Sequence, residues 1–561
     1  MKNLKSYLYI GSLLFFCSCS DYLNTIPDER TQIDSQEKVS ALLVNAYPKV
    51  SYAAIVNTRC DNVTDFGATY YGNQPEALFN FMGDNFLWKD VIENSNDSFD
   101  KFWTGCYAAI AVSNQALKSI DELGNTSDLQ TQKGEALMTR AFSHFCLASL
   151  FAHTYEESTA SIYPGIPYVE EPEDKPVVQY KREKIGDTYR KITRDFEDGY
   201  KYMTDGGVYT APKYHFNKTS ATAFGCRLYL FMKDYNKVIE YANAIIPSPT
   251  QFTTLTDDAG TELKNSDGTI QQNVSQKDPA ITFVTNNFHP FVSYMNASGY
   301  VEIRSKFCSS SANGNLLITE ALYTIAWGEL LFYTRYGLGR QDVNETFDSQ
   351  NVATGVWGFP IYGISSGNFY FTPKFAQFTK QESLDASSFL PYANIPILRM
   401  EEILLNRAEA YLMTDQYDKA IQDLNIYASQ RLVMGTNPSS LRYYDPKELC
   451  ITRDRVLDFY KDLIKDDNSF INKYNDTGAW SDLKKGILLT ILDFRKIEFY
   501  NEGLRWYDIV RWNIPVTHTQ YNGTKSTLMP DDDRRILQIP ESATISGIEL
   551  NPRKNVNDSW Q

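Results

Sequence analysis

The chain has 561 residues, 43% apolar and 22% charged, an ordinary globular balance that excludes a disordered, collagen-like or multi-span membrane protein. Its 54 Lys and Arg stand against 69 Asp and Glu, a formal charge of -15 with no long basic run, which argues against holding a phosphate backbone and so against a nucleic-acid partner. Aromatic residues reach 14%, led by 38 Tyr. A Tyr ring has an apolar face and a hydrogen-bonding rim, which serves core packing and also recognition of ligands that are themselves amphipathic.

The amino terminus sets the compartment. Lys2 and Lys5 precede an apolar run from Tyr7 to Phe16, which ends at Ser18-Cys19. Such a run is too short to cross a bilayer, which takes about 20 apolar residues in a helix. Residues 1–18 resemble a bacterial lipoprotein signal, which makes Cys19 the lipid-attachment residue and the outer membrane, on its exposed side, the expected location. The stretch Cys19-Ser20-Asp21-Tyr22-Leu23-Asn24 resembles acidic post-cysteine signals that direct lipoproteins to the cell surface. Cys60, Cys106, Cys146, Cys226, Cys308 and Cys450 form no CxxC and no Cys/His pair at metal-ligand spacing, so no metal site and no cofactor are expected. Cys106, Cys146 and Cys226 lie in apolar helix-like stretches and read as small buried hydrophobes.

Along the chain, residues 35–56 and 99–122 read as one helix pair, and Ala136 to Phe151 with Ile185 to Met203 as a second. Sliding the chain 182 positions along itself places Tyr229-Leu230 on Tyr411-Leu412, and Tyr235, Lys237 and Ile239 on Tyr417, Lys419 and Ile421. In each copy a helix rich in Ala and Leu ends in a polar turn, Lys233-Asp234 or Asp415-Gln416, before a second helix that opens on an aromatic. This is the layout of a tetratricopeptide (TPR) helix-turn-helix, whose units bury their apolar faces only by stacking. The expected fold is mainly α: a TPR-type helical solenoid with helix pairs over about 35–245 and 397–431, long irregular insertions at about 58–97, 247–316 and 340–395, and a few short strands. No linker separates these parts, so residues 19–561 read as a single domain. Insertions of this length on a rigid scaffold are where binding residues are expected.

Several motifs then recur in a telling order. Asp21-Tyr22-Leu23 and Pro27 follow the lipoprotein cysteine; Phe102-Trp103 through Asn114, Gly134-Glu135-Ala136 with Arg140-Ala141, and Pro164-Gly165-Ile166-Pro167 come next. Arg399, Glu402, Leu404-Leu405 and Arg407-Ala408-Glu409-Ala410 precede Arg495-Lys496-Ile497-Glu498, Glu502-Gly503, Arg505, Asp508, Arg511-Trp512, Ile536 to Pro540 and Asn551-Pro552. In this order they resemble, over essentially the whole chain, the SusD/RagB family of outer-membrane nutrient-binding lipoproteins, with the signature region at about 490–561. The resemblance implies a non-enzymatic surface protein that binds glycans and delivers them to a SusC-like TonB-dependent outer-membrane transporter. Peptide binding with the same transporter is the alternative, since Arg511-Trp512-Asn513-Ile514-Pro515 and His518 resemble the RagB-like branch.

Arg495, Glu498, Glu502 and Arg505 recur at three- and four-residue steps, which predicts one helical face and an ion-pair lattice tying the carboxy-terminal segment to the solenoid. Family ligand sites are built from the insertions, which here hold Asp61, Asp65, Tyr70, Tyr71 and Trp88, and later Tyr294 and Tyr300. These seven are the expected ligand-binding residues. No Gly-x-Ser-x-Gly elbow, HExxH or phosphate-binding Gly loop is present, and no catalytic residue is expected. His144 and His153 read as packed residues, and Asp531-Asp532-Asp533 as a solvated turn, since a bare acidic run lacks the spacing of a calcium loop.

Overall fold

The computed structural model describes residues 33–67, 76–91, 98–246 other than 174, 176 and 207, 253–273, 314–321, shorter pieces between 307 and 390, 391–434, 442–443, 450–465 and 480–556. The signal segment with Cys19 lies outside the described residues, as do Tyr70, Tyr71, Tyr294 and Tyr300.

Helices build the scaffold. The principal ones are α1 (Gln36–Leu43), α2 (Phe99–Glu122), α3 (Gln130–Phe151), α4 (Ile185–Tyr200), α5 (Lys218–Phe231), α6 (Tyr235–Ile245), α7 (Met400–Met413), α8 (Tyr417–Arg431), α9 (Asp482–Glu498) and α10 (Leu504–Arg511). Local chemistry sets where they start. Ser35, Ser98, Asp234 and Ser481 each accept a hydrogen bond from the backbone amide three residues on, and Asn217 forms a reciprocal capping box with Ser220. Consecutive helices pack as pairs: α2 on α3, α3 on α4, α5 on α6 and α7 on α8, with α7 also against α6 and α9. The 182-residue repeat holds to the residue, since the bounds of α5 and α7 differ by that offset and the matched turn residues Lys233 and Asp415 both take left-handed backbone, at φ 60° and 57°.

Burial follows position in the stack. In α4 the buried residues Ile185, Thr188, Tyr189, Ile192, Asp195, Phe196 and Gly199 keep three- and four-residue steps, the stripe of a helix with one face in water. By contrast α5 is buried from Ser220 to Phe231 and α7 from Met400 to Leu412, so the repeated helices are enclosed all round. One continuous apolar core joins residues from Tyr47 to Ile548, and a smaller cluster of Val39, Leu43, Ala116 and Ile120 seals α1 onto α2. Cys60, Cys106, Cys146, Cys226 and Cys450 are free and buried in this packing, and burial pushes the thiols of Cys146, Cys226 and Cys450 up to about 12. His144 is a satisfied core residue. Its Nδ1 bonds to the Arg140 carbonyl at 2.9 Å, its Nε2 accepts from the Val169 amide at 3.0 Å, and burial pulls its pKa down to about 3, so it stays neutral. Among the described residues no helix is long and apolar enough to cross a membrane.

The described parts of the insertions form regular elements. Strands β1 (Asn315–Ala321), β2 (Gln377–Gln381) and β3 (Phe389–Arg399) form an antiparallel sheet in the order β1-β3-β2, and β3 runs directly into α7. A helix spans Glu76–Phe86 within the first insertion. Residues 253–273 fold into two successive hairpins whose turns repeat every eight residues: Asp257 and Asn265 each open a turn closed by Gly260 and Gly268, both at φ 82°. This unit is fixed to the scaffold where the Ser266 amide and hydroxyl donate to Asp454 and where Arg453 bridges Asp267 and Asp418.

A second sheet draws on distant parts of the chain. Its four strands, Thr64–Asp65, Tyr336–Gly339, Phe369–Phe371 and Tyr362–Gly363, are antiparallel in that order, with Asp65 opposite Tyr336 and Leu338 opposite Tyr370. The first insertion and the 340–395 insertion, far apart in sequence, therefore meet in one structure.

Candidate functional site

The charged residues of the signature region are buried, and the structure corrects the expected single helical face. Helix α9 ends at Glu498 because Asn501 and Gly503 take left-handed backbone at φ 65° and 78°, which places Glu502 in the turn and Arg505 on α10. Glycine is required at 503: a Cβ there would lie 2.7 Å from the Ala53 Cα. The four residues pair with other elements and not with one another. Glu498 accepts from Arg399 Nη1 at 3.0 Å, Arg431 Nε at 2.8 Å and the Tyr427 hydroxyl at 2.8 Å. Glu502 accepts from Lys374 Nζ at 2.6 Å and from Arg399 at 2.9 Å. Arg495 pairs with Asp508 at 2.8 Å and reaches Asn406, and Arg511 clasps Glu409. The lattice does tie the carboxy-terminal segment to the solenoid, through β3, α7 and α8.

Burial alone would raise the Glu498 carboxyl, but Arg431 and Arg399 outweigh it and hold the group well below the usual carboxylate range. The amino-terminal motifs assemble in the same manner. Arg140 donates to Asp195 at 2.6 Å, to Asn114 at 3.0 Å and to the Glu170 carbonyl at 3.0 Å, with the Tyr168 hydroxyl also on Asp195. These carboxylates are committed to cations inside the protein, which leaves no free acid/base pair among them.

The first insertion is anchored to the carboxy-terminal hairpin formed by β4 (Val516–Thr519) and β5 (Lys525–Leu528). Asp61 forms a two-pronged pair with Arg505, at 3.0 and 2.7 Å, and lies 3.5 Å from Lys496 Nζ. Burial opposes the charged carboxylate, but Arg505 and Lys496 hold it well below its ordinary range. Asp65 spends both oxygens on backbone: Oδ1 accepts from the Gly67 amide at 2.9 Å and Oδ2 from the Tyr521 amide at 3.0 Å. Trp88 is 1% exposed, and its indole N–H donates to the Arg59 carbonyl at 3.0 Å. His518 is stacked between Phe86 and Trp88, with centroids at 4.2 and 4.4 Å, and its two ring nitrogens lie 2.6 and 2.7 Å from the Phe86 and Cys60 carbonyls. Beside this stack, the buried Arg59 lies over Trp506 at 4.9 Å and donates to Asn85 and the Arg534 carbonyl. Of the seven expected ligand residues, three lie within the described structure: Asp65 and Trp88 join the first insertion to the hairpin, and Asp61 joins it to α9 and α10.

Asp531, Asp532 and Asp533 do not form a merely solvated turn. Asp531 exchanges hydrogen bonds with Asn513, the buried Asp532 pairs with Arg534, and Asp533 accepts from the Lys554 and Asn555 amides. Among the described residues no three His, Cys, Asp or Glu side chains are grouped to hold a metal ion. An open groove of about 390 Å³ lies along the outer side of α4, lined by Tyr155, Arg190, Arg194, Glu197 and Met232; its arginines are engaged by Asp187, Glu170 and Asp195.

Comparison with known proteins bears on this arrangement. Residues 21–230 match the family profile described as starch-binding associating with outer membrane, and residues 333–536 match the SusD family profile. No curated protein matches the chain. Among solved structures, a SusD superfamily protein from Bacteroides thetaiotaomicron VPI-5482 aligns at 18% identity and TM-score 0.57, covering 92% of this chain and 100% of its own. A protein from Bacteroides vulgatus ATCC 8482, provisionally named as sugar binding, aligns at 16% identity and TM-score 0.59, covering 94% and 100%. A SusD-like carbohydrate binding protein from the same organism aligns at 13% identity and TM-score 0.50, covering 93% and 97%. With both profiles matched in order, and the helical scaffold shared across nearly its full length, the chain belongs to the SusD/RagB family.

Proposed function

We propose that the protein is a non-enzymatic, lipid-anchored protein of the outer-membrane surface that binds oligosaccharide or polysaccharide and passes it to a SusC-like TonB-dependent transporter. The observation that carries this reading is the pair of profile matches, one of them described as starch-binding and outer-membrane-associating. Solved relatives named for sugar or carbohydrate binding support the ligand class. Attachment through Cys19 accords with the lipoprotein-like amino terminus. The four-stranded sheet supports a recognition surface built from the insertions, because it joins segments rich in Tyr and Phe around the edge strand Thr64–Asp65. Aromatic faces cover the apolar faces of pyranose rings, while polar neighbours satisfy the hydroxyls that lose water. No catalytic step is needed, and the buried carboxylates described above have structural partners.

The test is calorimetric titration of the mature full-length protein, in detergent, against maltoheptaose, xylohexaose, mannohexaose, soluble starch and a mixed peptide pool. Saturable binding of a sugar is the expected result. Peptide binding without any sugar response overturns the glycan reading in favour of a RagB-like peptide carrier.

A further inference from the structure

We infer that Tyr521 is a stacking platform for a sugar ring of the ligand, held in place by Asp65 and Gly67; this rests on the glycan reading above. Tyr521 sits at the tip of the β4–β5 hairpin and is 65% exposed, the second most exposed large apolar side chain among the described residues. Exposure of a single aromatic is ordinary. What distinguishes this one is that its position is fixed from below.

Gly67 lies directly beneath the ring. A Cβ at Gly67 would stand 2.6 Å from the ring Cγ and 2.8 Å from both Cδ1 and Cδ2, and such near-equal distances arise only if the ring presents its face to the glycine. Gly67 also has φ 77°, so both the backbone and the space demand glycine. One face of Tyr521 is therefore seated on the main chain, and the exposure belongs to the rest of the ring.

The seat is locked by a single carboxylate. Asp65 accepts from the Gly67 amide with one oxygen and from the Tyr521 amide with the other, so the glycine that backs the ring and the residue that bears it are held by the same side chain. The hairpin tip is closed by its own turn: the Gly523 amide bonds to the Gln520 carbonyl, the Gln520 amide to the Thr524 carbonyl, and the Asn522 side chain accepts from the Thr524 amide. A ring fixed before the ligand arrives loses little conformational freedom on binding.

Asp65 lies in the edge strand of the four-stranded sheet, opposite Tyr336, and Tyr362, Phe369, Tyr370 and Phe371 lie on the strands beyond it. Tyr521 thus flanks the edge of the sheet that links the first insertion, through Tyr336–Gly339, to the 340–395 insertion. A flat apolar ring beside a sheet rich in Tyr and Phe suits the face of a pyranose, with its hydroxyl rim left for polar groups. In this assignment Tyr521 contacts ligand, and Asp65 and Gly67 are positioning residues.

The experiment compares Tyr521→Ala, Tyr521→Phe and Gly67→Ala with the wild type in full-length mature protein, titrated with whichever of maltoheptaose, xylohexaose or mannohexaose the wild type binds. Thermal unfolding serves as the control for folding. Tyr521→Ala is expected to weaken binding about tenfold, as befits the loss of one ring contact, with its melting temperature kept. Tyr521→Phe, which keeps the face and drops the hydroxyl, recovers most of that loss, and Gly67→Ala weakens binding by unseating the ring. Sugar binding by the wild type that is unchanged in Tyr521→Ala overturns the platform and leaves the glycan reading intact. A Phe variant as weak as the Ala variant also overturns it, since the hydroxyl and not the face would then carry the contact. If the wild type binds none of the sugars, the glycan reading and the platform fail together.

Discussion

Glu498→Ala is expected to lose on the order of 3–5 kcal/mol of folding stability, the usual cost of removing one partner from a buried ion pair. The carboxylate sits between Arg399 and Arg431 and also receives the Tyr427 hydroxyl, with all four side chains enclosed. Removing it leaves two guanidinium groups facing each other without their shared counter-charge; Glu401 and Glu502 offset only part of the repulsion. Whole domains are stable by about 5–15 kcal/mol, so the loss is a large share of the total. Denaturant unfolding of wild type, Glu498→Ala and Glu498→Gln checks this, with the glutamine variant intermediate because it keeps the shape and one acceptor. An alanine variant within about 1 kcal/mol of wild type, the level of an exposed pair, would show that the lattice contributes little. The same carboxylate gives a sign for pH. Its folded pKa is held below the unfolded value, so its contribution is complete above about pH 4.3 and is lost as the pH falls toward the folded value.

Trp88→Ala is expected to cost about 3–5 kcal/mol, the range for emptying a buried aromatic site. The indole is enclosed, stacks on His518 and donates to the Arg59 carbonyl, and the cavity it leaves opens under the joint between the first insertion and the carboxy-terminal hairpin. The change therefore lowers the melting temperature, and any loss of ligand affinity follows from a displaced insertion. Differential scanning calorimetry beside ligand titration separates the two effects. An unaltered melting temperature with selectively abolished binding would return Trp88 to the role of direct ligand contact. Tyr521→Ala gives the opposite expectation, with affinity reduced and stability kept.

Most of the scaffold was legible because its rules are local, although the helix read over 35–56 is broken into Gln36–Leu43 and Tyr52–Val56. Helix caps lie three residues from their partners, the TPR layout repeats its turn chemistry at Lys233 and Asp415, and inward stripes such as that of α4 keep helical spacing. The motif residues were legible as a set, but their pairing was not. Arg495 to Arg505 looked like one face because spacing alone does not reveal that Asn501 and Gly503 end the helix. Glu498 finds Arg399 across 99 positions, a separation that no helical period encodes. The insertions were the least legible part. Asp61, Asp65 and Trp88 were read as ligand residues of the first insertion, yet Asp61 pairs with Arg505, Asp65 accepts from two amides and Trp88 stacks on His518. Tyr521 carried no motif at all; only the geometry of Gly67 and Asp65 picks it out. The eight-residue repeat of Asp257 and Asn265, Gly260 and Gly268, and Thr261 and Thr269 was visible in the sequence and would have marked the double hairpin inside a stretch read as irregular.

A division of labour runs through these residues. The charged signature residues build the interior of the solenoid, and in the proposed function recognition falls to the insertions together with the carboxy-terminal hairpin. Backbone amide exchange of the mature protein, with and without a saturating oligosaccharide from the titration, tests that division most directly. Slowed exchange is expected in residues 58–67 and 516–528, with little change along α4 to α6. Protection confined to the outer face of α4 to α6, or protection by peptides and by no sugar, would contradict that division.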